Sequence, residues 1–266
     1  EITLSNKKAA AKGYFVKFFD RSKNFYVKKN KTELNLATSK YILIRQNPPF
    51  DMEYINSTLY LEKLISKVKI INNPISIRNI SEKFYSSKFF KYMPPTIYTK
   101  DMEEIYKFYN KYKKIVIKPI HGYAGKGVQL LKNKINKKKL SSYLKKYGHV
   151  MVQKFLPEVN KGDKRVFIIK GKVCGAIRRV PLKGSILSNI SQGGSAVKTI
   201  LNFKEKKISK VIAKDLLKNN IYFAGIDFVS NYIIGDINIT SPTGLPQYKE
   251  LTGKDLSKVF WDGLIN

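Results

Sequence analysis

The sequence predicts an α/β fold that contains a parallel sheet, and two observations support it. Apolar runs typical of buried strands, at 41–45 and 69–74, alternate with stretches of helical periodicity. The chain of 266 residues is also long enough to bury a sizeable core, and length alone suggests one to two domains. We therefore expect strands and helices to alternate through at least the first part of the chain.

The first elements follow from local signals. Residues 3–12 are predicted to form a helix that ends at Gly13, and 14–19 a strand. Asp51 stands where a helix N-cap residue would, ahead of a helix predicted over 52–66. Because no strand precedes the opening helix, we expect the first strand of this unit to be absent from the chain.

The rest of the chain predicts two further regions of mixed structure. The elements are a helix from 80 to the prolines at 94 and 95, a helix at 101–111, strands at 115–119 and 128–131, a helix at 137–147, a strand at 150–155, a hairpin turned at 170–172, a polar loop at 182–198, a helix at 207–219 and a strand pair at 222–239. Changes in the local pattern of apolar, polar and glycine residues predict three domains, at 1–75, 76–157 and 158–266.

The formal net charge of +32 would suit a nucleic-acid or anionic-membrane partner. Lysines supply most of that charge and are scattered, whereas a base-reading interface normally uses arginine forks. We therefore expect no nucleic-acid partner, and binding of nucleic acid stays as an alternative. No apolar run approaches the roughly 18 residues of a membrane span, so no membrane role is expected. The single cysteine, Cys174, excludes an intrachain disulfide, which is typical of a cytoplasmic protein.

A glycine-rich turn follows an apolar strand that contains a lysine. Gly122, Gly125 and Gly127 would let backbone N–H groups approach a phosphate closely. Lys118 lies in the preceding strand, where an anionic partner would compensate its charge. The turn matches neither of the common phosphate-loop patterns, so a plain hairpin turn is the alternative interpretation.

Two further clusters carry acidic and basic groups. Asp236 and Asn238 alternate on one strand beside Asp227 on the preceding one, which suits Mg²⁺ with few protein ligands; the alternative is the solvent-exposed face of a hairpin. Arg165 and Arg179 begin and end the two arms of the predicted hairpin and could together clamp a phosphate or carboxylate. Surface charge at strand ends is the alternative for the arginines.

These clusters, in this order, resemble the bacterial glutathione synthetases of the ATP-grasp superfamily. The matching stretches are R-Q-N-P-P-F-D at 45–51, N-I-S-E-K at 79–83, I-V-I-K-P-I-H-G-Y-A-G-K-G at 115–127, Q-K-F-L-P at 153–157, G-D-K-R-V at 162–166 and I-N-I-T-S-P-T-G at 237–244. The resemblance implies an ATP-grasp fold preceded by a truncated, Rossmann-like pre-ATP-grasp domain.

The resemblance also implies an activity. ATP would phosphorylate the cysteinyl carboxylate of γ-glutamylcysteine, and glycine would attack the acyl phosphate, giving ADP and phosphate. Mg²⁺, or in its place Mn²⁺, would assist. The partners would be these small molecules, and the protein would be a homo-oligomer in the cytoplasm.

Site residues are implied by position in the matching motifs. The resemblance assigns Lys83, Lys118, Gly122, Gly125, Gly127, Gln153, Phe155, Leu156 and Asp163 to ATP, Arg165 and Arg179 to catalysis, Arg45, Asn189, Gly193 and Gly194 to the other substrates, and Asp227, Asp236 and Asn238 to the metal. Among the ATP residues, Phe155 and Leu156 would offer backbone contacts to adenine, and Asp163 would meet the ribose.

The chain departs from the family pattern at several positions. Asp236 replaces the usual Glu, Leu187 and Ser195 replace two arginines, and Gln247 follows a motif that usually continues differently. Each lost arginine removes a charge-assisted partner worth roughly 1.5–3 kcal/mol. The alternatives are therefore another ATP-grasp carboxylate–amine ligase with a different acceptor, or a non-catalytic nucleotide-binding relative.

Overall fold

The computed structural model describes residues 2–6, 8–19, 26–185, 188 and 193–265. The strands are β1 Ile2–Leu4, β2 Ala9–Phe18, β3 Tyr26–Asn35, β4 Tyr41–Leu43, β5 Lys69–Ile71, β6 Thr96–Thr99, β7 Lys114–Pro119, β8 Gln129–Lys132, β9 Val150–Lys154, β10 Asp163–Ile169, β11 Lys172–Val180, β12 Ser195–Lys198, β13 Phe223–Val229 and β14 Tyr232–Asn238. The helices are α1 Met52–Glu62, α2 Pro74–Asn79, α3 Met102–Tyr112, α4 Lys137–Tyr147, α5 Phe203–Lys218, α6 Leu245–Thr252 and α7 Leu256–Ile265. None of these helices is both long and apolar enough to cross a membrane.

The N-terminal region contains an antiparallel sheet where a helix was predicted. The chain over 3–12 forms β1 and the start of β2, and β2 pairs with both β1 and β3. Ala9 and Ala10 are buried in this sheet, so packing there overrides the helix preference of alanine. The helix prediction is wrong, and the expectation of an absent first strand loses the helix on which it rested.

Parallel pairing is confined to β4 and β5 among the described strands. α1, which follows β4, begins where predicted, because the Asp51 carboxylate accepts a hydrogen bond of 3.0 Å from the Tyr54 amide. Pro74, the last residue of the apolar run at 69–74, lies outside β5. It starts α2 behind the cap residue Asn73, a position that proline favours because its missing N–H is not needed there.

Asn72 joins this region to the C-terminal sheet. Its Nδ2 donates to the carbonyl oxygens of Phe223 at 2.7 Å and Ile239 at 2.6 Å, and its Oδ1 accepts from the amides of Tyr222 and Phe223, both at 2.8 Å. The amide is buried and uses both its donor and its acceptor groups. A single side chain therefore fixes β5 against the start of β13 and the residue that follows β14.

A four-stranded antiparallel sheet of order β6-β9-β7-β8 forms the middle of the chain. It packs against α3 and α4 around buried residues that include Ile105, Ile117 and Val152. α4 has the predicted bounds, whereas β6 was not predicted. The predicted helix from 80 is a short 3-10 segment, Phe84–Tyr92.

The C-terminal sheet is antiparallel, with the order β12-β11-β10-β13-β14. α5 packs on one face, and α6 and α7 pack on the other. α5 begins at Phe203, four residues before its predicted start, because Asn202 and Glu205 form a reciprocal capping box. The strands that carry the polar side chains described next are therefore packed on both faces of the sheet.

Candidate active site

A cavity of about 540 Å³ lies between the middle sheet and the C-terminal sheet. Most of the predicted site residues line it: Arg45, Lys83, Lys118, Gly122, Gly125, Gln153, Phe155, Leu156, Asp163, Arg165, Arg179, Asp227, Asp236 and Asn238. The fold therefore brings together side chains that are far apart in the sequence and come from all three regions of the chain.

Two buried lysines and one carboxylate form the lysine cluster: Lys83, Lys118 and Asp236. The Lys83 Nζ lies 3.2 Å from Asp236 Oδ1 and also donates to the Gly122 carbonyl. The Lys118 Nζ lies 3.9 Å from Asp236 Oδ2 and donates to the Ile234 carbonyl at 2.7 Å. Burial lowers the pKa of Lys118, although the charge of Asp236 opposes this shift. Two ammonium groups thus share one carboxylate, whose side chain is 25% exposed.

Arg165, Arg179, Asp163 and Asp227 form the arginine network, in which every ion pair is buried. Arg165 binds both carboxylate oxygens of Asp227, with Nη2 at 2.8 Å from Oδ2. Arg179 binds both oxygens of Asp163 at 2.7 Å and reaches Asp227 Oδ2 at 2.9 Å. Such two-pronged pairs fix both partners in one geometry.

Strand register builds this network. Arg165 on β10 lies opposite Asp227 on β13, and Asp163 on β10 lies opposite Arg179 on β11. A Cβ at Gly225 would lie 2.7 Å from the Arg165 Cδ, so only glycine leaves room for that side chain. The predicted proximity of the two arginines is thus mediated by the Asp227 carboxylate that both contact.

The two aspartates of the network respond differently to burial. Burial alone would raise the pKa of the Asp227 carboxyl, but the guanidinium groups of Arg165 and Arg179 hold it well below its usual range. Burial raises the pKa of the Asp163 carboxyl despite its ion pair with Arg179. The difference follows from contact with two guanidinium groups at Asp227 and with one at Asp163.

The glycine-rich loop between β7 and β8 folds through tight turns beside the lysine cluster. The Gly122 amide donates to the Pro119 carbonyl at 3.1 Å, and the Val128 amide donates to the Gly125 carbonyl at 3.2 Å. Gly125 has φ +77° and Gly127 has φ +78°, and a Cβ at Gly127 would lie 2.7 Å from Pro119 Cγ. Gly127 is therefore required by the turn and, unlike Gly122 and Gly125, does not line the cavity.

The residues predicted to hold a metal ion lie on β13 and β14. Asn238 Nδ2 lies 3.3 Å from Asp227 Oδ2, and Asp236 is on the same strand two residues before Asn238. The described residues contain no group of three His, Cys, Asp or Glu side chains arranged for a metal. The Asp236 side chain is 25% exposed, and a small set of oxygen-bearing side chains suits Mg²⁺ because this ion keeps several waters and substrate oxygens.

The segment after β9 offers backbone groups to the cavity. The Phe155 amide donates to the Lys114 carbonyl at 3.0 Å, and the Leu156 carbonyl accepts from the Val159 amide at 3.1 Å. Within the described chain, the Phe155 carbonyl and the Leu156 amide have no hydrogen-bond partner. Gln153 instead uses its side-chain Nε2 on Thr96 Oγ1 at 2.9 Å, a contact inside the sheet.

Glu82 lines the cavity and was not predicted as a site residue. Its Oε1 accepts three hydrogen bonds, from the Ile239 amide at 2.7 Å and from the Thr240 amide and hydroxyl at 2.9 Å. Nearby, the Arg45 guanidinium lies 5.9 Å from the centre of the Phe223 ring. The signal that could have identified Glu82 is its place beside Lys83 in the 79–83 motif.

The predicted loop over the site is only partly described. Asn189 and Leu187 lie outside the described residues. Gly193 and Gly194 are described, but they are not among the described residues that line the cavity. Ser195 is the exposed first residue of β12. Ser188 does line the cavity, with a buried hydroxyl that has no hydrogen-bond partner among the described residues.

A second, mainly apolar cavity of about 510 Å³ borders the first. Arg45, Thr240 and Thr243 line both, and Gln247 lines the second. The space available to a ligand therefore continues past Arg45.

This chain is similar to known proteins in both sequence and fold. Residues 82–253 match the model of the prokaryotic glutathione synthetase ATP-grasp domain, and residues 1–78 match that of the N-terminal domain. A glutathione synthetase of Agrobacterium fabrum is 37% identical over 87% of this chain and 73% of its own, and one of Rhodopseudomonas palustris is 33% identical over 98% and 84%. The structure of the ATP-grasp ligase PsnB with a minimal precursor, Mg and ADP shares the fold at a TM-score of 0.62 and 14% identity, covering 95% of this chain and 84% of that one.

Proposed function

Because this chain belongs to the prokaryotic glutathione synthetase family, we propose that its main cavity joins γ-glutamylcysteine to glycine with hydrolysis of ATP to ADP and phosphate. The protein is an ATP-dependent ligase with the ATP-grasp fold, and its function is that of a glutathione synthetase. The roles given below to individual residues are part of the proposal.

The observation that supports this function is the convergence of four buried cationic side chains on one cavity. They are Lys83, Lys118, Arg165 and Arg179, against the three carboxylates of Asp163, Asp227 and Asp236. Phosphoryl transfer requires positioning and positive charge more than covalent chemistry by the protein. A binding site for an uncharged ligand would gain nothing from burying these charges.

In the first step, a carboxylate oxygen of the cysteinyl group attacks the γ-phosphorus of ATP, and the bond from that phosphorus to the β,γ-bridging oxygen breaks. The products are an acyl phosphate and ADP. Lys83 and Lys118 would hold the phosphate oxygens, and the loop at Gly122 and Gly125 would lie over them. The Phe155 carbonyl and the Leu156 amide would accept and donate to the adenine edge, and Asp163 would contact the ribose.

In the second step, the neutral glycine amine attacks the acyl carbon, the bond from that carbon to the phosphate oxygen breaks, phosphate leaves, and the amine proton passes to solvent. Arg165 and Arg179 would stabilise the negative charge on the transferred phosphoryl group and on the tetrahedral intermediate. Their guanidinium groups are already oriented by Asp163 and Asp227, so little rearrangement is needed as that charge develops.

The family uses ATP and typically a divalent metal ion. We infer that Asp227, Asp236 and Asn238 would hold Mg²⁺, with Mn²⁺ as a substitute. When bound, the ion would neutralise charge on the phosphate oxygens. Asp236 places its carboxylate on a side chain one methylene shorter than the usual Glu, and its partly exposed position in the cavity would leave room for the ion's water ligands.

Release of ADP on mixing the protein with ATP, Mg²⁺, γ-glutamylcysteine and glycine tests the proposal. We expect turnover that requires all four components and a product with the mass of glutathione. Absence of turnover with this pair, together with turnover for another carboxylate and amine, would establish a different acceptor. Leu187, Ser195 and Gln247 motivate that second arm, because each departs from the family pattern on the acceptor side.

We further propose that the protein is a cytoplasmic homo-oligomer that acts on small molecules and not on nucleic acid. Family precedent and the scattered lysines support this. We also retain the division of the chain into 1–75, 76–157 and 158–266. Light scattering after gel filtration tests the oligomeric state.

A further inference from the structure

We propose that Arg45 and Glu82 form a subsite for a zwitterionic α-amino-acid group, which in the proposed function is the γ-glutamyl head of the peptide substrate. Arg45 would bind the α-carboxylate and Glu82 the α-ammonium. This inference rests on the proposed function and adds Glu82 to its substrate contacts.

The Arg45 guanidinium has no anionic partner among the described residues. Arg45 belongs to the N-terminal region of the chain and lines the cavity together with Asn47 and Ser241. Among the described residues it forms no ion pair, and its recorded contact is with the face of the Phe223 ring. The protein around the guanidinium desolvates it enough to lower its pKa. A ligand carboxylate would supply the missing partner and a two-pronged hydrogen bond.

The two carboxylate oxygens of Glu82 differ in their hydrogen bonding. Oε1 is fixed by Ile239 and Thr240, whereas Oε2 has no hydrogen bond within the described chain. Those contacts hold the carboxylate in place, so Oε2 would accept a hydrogen bond from a ligand with little further loss of side-chain freedom. An ammonium group donates the charge-assisted hydrogen bonds that a carboxylate accepts.

Arg45 and Glu82 both lie near the buried Tyr54 side chain, but among the described residues they form no ion pair with each other. Burial raises the pKa of Tyr54 to about 12, with a further increase from the charge of Glu82 and an opposing effect of Arg45. The Tyr54 hydroxyl has no hydrogen-bond partner among the described residues. Opposite charges that are close to one residue and yet unpaired leave a space that a molecule carrying both charges would fill.

The chemistry of the reaction selects the γ-glutamyl head over glycine. The glycine amine must lose its proton to attack the acyl phosphate, and a carboxylate held against it would stabilise the protonated form. The α-ammonium of the γ-glutamyl group does not react. That head is also the end of the peptide opposite to the cysteinyl carboxylate, which must lie at the lysine cluster and the arginine network.

Two substrate analogues separate the two contacts. Glutaryl-cysteine lacks only the α-ammonium, and 4-aminobutanoyl-cysteine lacks only the α-carboxylate. We expect the native protein to use each with kcat/KM lower by about 10- to 100-fold, the cost of losing one charge-assisted partner. Glu82→Gln should lose the discrimination against glutaryl-cysteine and keep that against 4-aminobutanoyl-cysteine. Arg45→Gln should do the reverse.

Glu104→Gln, a change of the same type at an exposed helix position, should behave like the native protein with all three peptides. Glu82→Gln retains an oxygen for Ile239 and Thr240, and a purely structural role of Glu82 would lower activity equally with all three peptides. Native-like discrimination in Glu82→Gln, or a raised KM for glycine in its place, would overturn the subsite.

Calorimetric titration with γ-glutamylcysteine separates this inference from the proposed function. Binding that weakens in both Arg45→Gln and Glu82→Gln would support the subsite even if the native protein showed no turnover. No binding to the native protein would reject the subsite directly.

Discussion

The lysine cluster and the arginine network face the same cavity but differ in how completely their charges are paired. The network sets two guanidinium groups against two carboxylates through contacts of 2.7 to 2.9 Å. The cluster sets two ammonium groups against one carboxylate at 3.2 and 3.9 Å. The charges of the network are therefore balanced within the protein. The cluster retains a net positive charge and a partly exposed carboxylate, which a metal-bound nucleotide requires. Stability should therefore depend more on the network than on the cluster, although the network residues also contact ligands in the proposed function.

The largest effect is expected from the cluster. Lys118→Ala and Asp236→Ala should each reduce turnover to near background, a loss of about a hundred- to a thousandfold or more, because each removes a charged group that holds the phosphates or the metal. ADP release is the measurement. Lys107→Ala, which removes an exposed lysine paired with Glu104, is the matched control. Near-normal rates in either cavity variant would remove the cluster from the site.

Stability should respond in the opposite order. Asp227→Asn leaves the buried Arg165 without a carboxylate partner and Arg179 with Asp163 alone, and it should lower the free energy of unfolding by about 3 to 5 kcal/mol. Asp236→Asn should lower it by about 1 kcal/mol or less, because this carboxylate is partly exposed and lies 3.2 and 3.9 Å from its two lysines. Urea denaturation of both variants measures the difference. Equal losses would contradict the distinction between the network and the cluster.

A smaller effect tests how tightly the network is packed. Gly225→Ala would place a methyl group 2.7 Å from Arg165 Cδ and should destabilise the protein by about 1 to 3 kcal/mol. Gly13→Ala makes no contact within 4 Å of the new Cβ and is the control at an open site. If Gly225→Ala folds with native stability and activity, the position of Arg165 matters less than its register implies.

The dependence of stability on pH should separate the two groups by sign. The pKa of Asp227 is lowered on folding, so its contribution is present above the unfolded value of about 3.9 and is lost as the pH falls toward its folded value. The pKa of Lys118 is also lowered, so the unfolded chain binds the extra proton, and stability rises with pH between the lowered value and about 10.4. Asp227→Asn should flatten the acid limb and Lys118→Met the alkaline limb. Unfolding midpoints across pH measure both.

The same contrast explains what could be predicted from the sequence. Charged residues in apolar strands must find partners, which drew attention to Lys118, Asp227 and Asp236 as separate candidates. The resemblance to a ligase family, and not the local patterns, implied that they belong to one site. Their actual partners depend on strand register, such as the alignment of Asp163 with Arg179. Register is set by packing of the whole sheet, which local patterns do not encode.

Local propensity failed where long-range pairing decides the structure. The alanines near residue 10 favour a helix alone and form a strand between two others, and the polar run at 26–35 lacks the apolar alternation that would have identified β3. Glu82 was missed for a related reason. Its importance comes from Ile239 and Thr240, which are more than 150 positions away in the sequence.

Asn72 has a consequence for how the protein opens. Its Oδ1 covers the amide protons of Tyr222 and Phe223, which lie at the start of a strand in a different sheet. Those two protons can exchange with deuterium only when Asn72 withdraws, that is, when the N-terminal region separates locally from the C-terminal sheet. The hydrogen–deuterium exchange rates of these two amides therefore report how often the two regions separate, without an added label or ligand.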